Sequence, residues 1–169
     1  MPEFPAMNLW RLALPTFIAV VLVIGAFVTW RFGTGSPIQT TLHEALRDAK
    51  RVVVIVHSSQ VDSPNAETMK NYKEQVFQSL ELLPAQRRSL LRSLPRARDI
   101  SDSVSTACIF NPHHRIEIFK ADGTRLVWEI CFICGEHFVE GDHVRILPGG
   151  WRASLRSFFE SQNIRTEGL

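Results

Sequence analysis

Apolar and polar positions divide this chain into an uncharged run and a periodic domain. From Leu12 to Trp30 the sequence reads LALPTFIAVVLVIGAFVTW without a charge. A helix of that length, rising about 1.5 Å per residue, nearly matches a hydrocarbon core of roughly 30 Å. Arg11 and Arg31 bracket it, and Trp10 and Trp30 fall at the two interfaces. A soluble core helix rarely lacks a polar face over five turns. Gly25 to Trp30 offers no small-x-small cleavage site, although Met7 to Arg11 reads as a basic start. The pattern predicts a tail over 1–11, an uncleaved transmembrane anchor over 12–30, a linker over 31–37 and a soluble domain over 38–169.

Within the domain, Ser36-Pro37 opens a helix with Ile38, Leu42, Ala45, Leu46 and Ala49 on one face. Arg51 to His57 is a β-branched run that reads as a central strand buried on both faces. Ser63-Pro64 repeats the capping signal, and Met69, Tyr72, Val76, Phe77, Leu80 and Leu83 follow at helical spacing. A short helix then runs from Pro84 to Leu94. Strands are predicted over 105–110, 115–120 and 125–132, the last two joined by Asp122-Gly123, a hairpin signal. A final helix starts near Gly150 with Trp151, Leu155, Phe158 and Phe159 on one stripe. This order predicts an α+β fold: an N-terminal transmembrane helix, then a small, mostly antiparallel sheet with helices packed on it.

Charge changes this picture little. A formal net charge of +2 gives no global field to recruit nucleic acid. Arg87, Arg88, Arg92, Arg96 and Arg98 form a basic face, read first as a solvated surface and second as a contact for anionic lipid. No aromatic residues interleave with these arginines, as nucleic-acid stacking would require. Basic residues after the run weakly favour a cytoplasmic domain, but those from Arg47 to Arg51 lie in folded structure, where that rule is weak. The domain is therefore expected on the extracytoplasmic side of a cell membrane.

Chemistry concentrates between Cys108 and His143, a window with all three cysteines and four of the six histidines. Thiolates and imidazoles suit a borderline-soft ion such as zinc, so Cys131, Cys134, His114 and Cys108 are the metal-ligand candidates. A Cys131–Cys134 disulfide and inert thiols are the alternatives. A two-residue Asp122-Gly123 turn would pair His114 with Cys131 on one face. Closing the preceding hairpin over Asn111 to His114 would put Cys108 on the other face. His113 reads as a turn cap, His57 as a structural or edge residue and His43 as solvent-facing. A thiol oxidoreductase would place its C-x-x-C at a helix N-terminus, and Gly135 to Gly141 shows no helical stripe. No catalytic residue is assigned.

The stretch Cys108-Ile-Phe-Asn-Pro112-His-His114, followed by Glu129-Ile-Cys131-Phe132-x-Cys134, resembles a group of bacterial exported or membrane-anchored proteins. That group carries a C-x-x-P-x-H … I-C-F-x-C signature and no known activity. The resemblance implies that Cys108, Pro112, His114, Cys131 and Cys134 act together, with His113 the weaker ligand, and that the domain is exported. The expectation is a membrane-anchored binding or structural module, held by a metal ion or disulfide, with the bilayer and a protein as partners. A thiol-dependent redox protein using the C-x-x-C pair is the alternative.

Overall fold

The computed structural model describes residues 37–94 and 108–166. The expected anchor, the linker up to residue 36, and Arg96 and Arg98 lie outside them. Among the described residues, no helix is long and apolar enough to cross a membrane.

Helix α1 spans Pro37–Arg47 and buries Ile38, Leu42, Ala45 and Leu46, the stripe expected of it. It leads into β1, Ala49–His57. A 3-10 turn over Gln60–Asp62 and the short helix α2, Ala66–Lys70, follow. The next elements are β2 (Val76–Glu81), α3 (Pro84–Arg92), β3 (His114–Lys120), β4 (Arg125–Cys131), β5 (Glu136–Val139), β6 (Arg145–Ile146) and α4 (Trp151–Ser161). The six strands form one antiparallel sheet in the order β2-β1-β3-β4-β5-β6. The α+β class is as expected.

One face of the sheet carries Val52, Val54, Val56, Ile116, Ile118, Trp128 and Ile130. They share a buried core with Leu42 of α1, Leu90 of α3, and Trp151, Leu155 and Phe159 of α4. Strand period two and helix period 3.6 both point apolar side chains into this layer. Trp128 and Trp151 meet edge to face at 5.9 Å, and Phe132 and Phe159 at 5.4 Å.

Two element predictions need correction, and two strands are additional. The helical stripe from Met69 to Leu83 is instead α2, a loop and the edge strand β2. On β2, Leu80 and then Leu82 turn inward, while Val76 and Phe77 are about half exposed. Leu80 and Leu82 also fit period two, and sheet pairing with β1 decides between the two periods. Residues 108–113 form no strand, and the second neighbour of β3 is β1. Strands β5 and β6 were not expected. Gly135, at φ +70, supplies the left-handed residue that turns β4 back into β5.

The Asp122-Gly123 hairpin forms, but its register differs by one from the expected pairing. Lys120 accepts from Gly123 N–H and donates to Thr124 O, and Gly123 has φ +86. The loop is therefore three residues with a left-handed glycine. His114 pairs with Ile130, not Cys131, and Arg115 pairs with Glu129. The β1–β2 ladder also slips: Val56 faces Gln78 and His57 faces Val76, leaving Phe77 as a bulge.

Candidate functional site

One end of the sheet gathers the residues with chemical potential. The corrected register places them on two faces. His114 starts β3 on the helix-covered face and is 3% exposed. Its Nε2–H donates to the Arg165 carbonyl at 2.7 Å, while Nδ1 has no partner. Phe132 lies edge-on at 4.8 Å, and Phe159 lies tilted at 5.6 Å. Burial pushes this imidazole down to about 4, although the Arg165 carbonyl opposes that shift. His114 is a neutral core residue that holds down the segment after α4. Deeper along the same face, Trp128 Nε1–H donates to His137 Nδ1 at 3.1 Å.

Cys131 ends β4 and is 1% exposed. One step beyond the His114–Ile130 pair, it turns to the opposite face. Cys108 and Cys134 form a disulfide with Cα atoms 5.9 Å apart, and Cys131 is the free thiol. The alternative pairing, Cys131–Cys134, is thus not the bridge present. Two of the four metal-ligand candidates are bonded to each other, and His114 faces away from Cys131. Among the described residues, no group of three or more His, Cys, Asp or Glu side chains is arranged to hold a metal ion. Cys108 lies four positions before Pro112, one more than the expected C-x-x-P signature allows.

The disulfide fixes a strap, residues 108–113, to the β4–β5 turn. Polar contacts fix the other end of the strap. Asn111 Nδ2 donates to Asp62 Oδ1 at 2.9 Å, and His113 Nε2 meets Asp62 Oδ2 at 2.8 Å. Ser59 N–H also donates to Asp62 Oδ2 at 2.9 Å. Partial burial pushes Asp62 up, but these three contacts outweigh it and hold the carboxyl below its usual range. His113 is therefore a buried partner of Asp62, not a simple turn cap. Ile109 and Ile133, each beside a bridged cysteine, are 73% and 72% exposed.

Next to the strap on the same face lies a charged network that sequence reasoning missed. His57 Nδ1 donates to the Ser58 carbonyl at 2.7 Å, and its Nε2 lies 3.2 Å from Glu129 Oε2. Arg115 binds Glu74 through two bonds of 2.7 Å and also faces Glu117 at 3.3 Å and Glu129 at 3.6 Å. Burial works against a charged His57. The Glu129 hydrogen bond, the Ser58 carbonyl and the nearby carboxylates overcome it and raise the imidazole above its ordinary value. The Arg115 bonds hold Glu74 below the usual carboxylate range. Polar residues at alternate strand positions (Arg115, Glu117 and Glu129) were the available signal, but the one-residue register error concealed their pairing.

Other candidates are dispersed. His43, expected in solvent, is half-buried, and its Nε2 lies 2.8 Å from the Leu94 carbonyl. Arg87 of the basic face donates to the Ala49 carbonyl, whereas Arg88 and Arg92 are exposed. Compared with known proteins, the chain matches no family model, no curated protein and no solved structure.

Proposed function

We propose that this chain is a membrane-tethered binding module on the oxidising side of a cell membrane, with the Cys108–Cys134 disulfide stapling its recognition end. The observation that carries this reading is the bridge: it closes the near end of a strap whose far end is fastened by side-chain contacts to Asp62 and by the His57 N–H to His113 carbonyl bond. Disulfides persist in oxidising compartments and are rare in reducing ones. The uncharged Leu12–Trp30 run supplies the tether. The signature that the chain resembles would then mark an exported module in which Cys108 and Cys134 form the structural bond.

A binding role fits the pairing of the titratable groups. His57, Arg115, Glu74 and Glu129 are committed to one another, and Asp62 to His113. A nucleophile with a poised base is what a hydrolase would need, and Cys131 lies buried at the end of its strand. Ile109 and Ile133 present an apolar tip to a protein partner.

Non-reducing peptide mapping of the full chain, purified from membranes, tests this reading. The expected result is a linked Cys108–Cys134 peptide and one thiol per chain. Three thiols that alkylate in the native protein, or a bound zinc ion, would overturn the staple. Protection of the domain from protease added outside intact spheroplasts would overturn the exported orientation.

A further inference from the structure

The bridge and the third thiol share one turn. The Cys134 N–H donates to Cys131 Sγ at 3.4 Å, so the free sulfur lies against the residue carrying half of the disulfide. Cys131 is fully buried, while Cys108 and Cys134 are only half-buried. The strap that Cys108 begins is held at its far end by the Asp62 carboxylate, which binds Asn111 and His113, and by the His57 N–H, which donates to the His113 carbonyl at 3.0 Å.

We propose that Cys131 is a resolving thiol that exchanges with the Cys108–Cys134 bridge and makes docking of the strap sensitive to disulfide-bearing molecules. The Cys131 thiolate attacks Sγ of Cys134. The Cys131–Cys134 bond forms, the Cys134–Cys108 bond breaks, and Cys108 leaves as a thiolate that takes up the proton Cys131 lost. The step is an isomerisation and consumes no oxidant or reductant. It frees a thiol beside the exposed Ile109. That thiol is the capture point for a disulfide-bearing molecule: its thiolate attacks one sulfur of the incoming disulfide, forms a mixed disulfide, and releases the other half as a thiol.

Chain entropy explains why the two pairings compete. The observed bridge joins residues 26 positions apart, whereas the alternative closes the short Cys131–Cys134 ring. Loop-closure entropy favours the short ring in the unfolded chain on the order of tenfold. The folded chain shows the long one, so the contacts that dock the strap, those to Asp62 among them, hold the balance. Loosening those contacts should shift the pairing.

The test uses the full chain under native conditions with glutathione disulfide as the probe, followed by acid quench and peptide mapping. The expected result is glutathione on Cys108 together with a Cys131–Cys134 link. The adduct should rise severalfold in Asp62→Ala and be absent in Cys131→Ser. Glutathione on Cys131, or no adduct in wild-type protein whose Cys108–Cys134 bridge is intact, would overturn the exchange; this readout needs no variant. The inference rests on the stapled-module reading, and the failures differ: three free thiols in the starting protein sink that reading, whereas an intact and inert bridge sinks the exchange alone.

Discussion

Acid should weaken this fold through His114, by an amount that follows from its burial. The unfolded chain binds a proton at this imidazole near the ordinary value of about 6.5. The folded protein resists protonation until about pH 4, because the ring sits 3% exposed among Phe132 and Phe159. Below the unfolded value the unfolded chain therefore binds more protons, and stability falls as pH drops. The loss begins near pH 6.5, continues to about pH 4, and then levels off once the folded state also takes up the proton. At about 1.4 kcal/mol per unit, the whole window is worth roughly 3 kcal/mol. His114→Gln keeps an N–H donor for the Arg165 carbonyl and removes the titration. Urea unfolding of both proteins at pH 7 and pH 4, with Trp128 and Trp151 as fluorescent reporters, measures the difference. Carboxylates that titrate in the same range contribute to both proteins and cancel. An identical pH dependence in His114→Gln, or a His114 imidazole signal titrating near the ordinary value of about 6.5 in the folded protein, would refute the reasoning.

The opposite sign is expected at His57, whose proton the folded protein holds more tightly than the unfolded chain. Glu129→Gln removes the carboxylate at its Nε2 and should cost about 1.5–3 kcal/mol below pH 6.5, the range for hydrogen bonds to charged groups. The cost should shrink as pH rises through the raised value; denaturation at pH 6 and pH 9 checks this, and an equal or larger cost at pH 9 would contradict it. Phe159→Ala should open a cavity beside His114, Phe132 and Phe158 and destabilise the domain by about 3–5 kcal/mol. Thermal unfolding measures that loss, and a cost below about 1 kcal/mol would mean that this aromatic cluster does not hold α4 to the sheet.

The fold was legible where one period ruled a whole element. The stripe Ile38-Leu42-Ala45-Leu46, the β-branched run of β1 and the Trp151-Leu155-Phe158-Phe159 face each admit one packing. At 69–83 the apolar positions fit periods 3.6 and 2 equally, and pairing of β2 with β1, which no local signal reveals, settled the matter. The site was concealed by a single residue of loop. Asp122-Gly123 marks a turn correctly, but a left-handed glycine after a tight turn adds one position. That position turned Cys131 away from His114 and aligned Arg115 with Glu129. The spacing of the cysteines alone could not select Cys108 as the partner of Cys134, because that choice depends on where the strap docks against Asp62.

The bulge at Phe77 bears on how such domains behave when many share one surface. A regular border strand offers a run of spare amide and carbonyl groups on which another chain can grow. Here β2 is thrown out of step by one residue, and the opposite border, β6, is two residues long. Neither border gives a neighbouring copy a straight template, so even dense arrays of this domain should resist stacking into fibres.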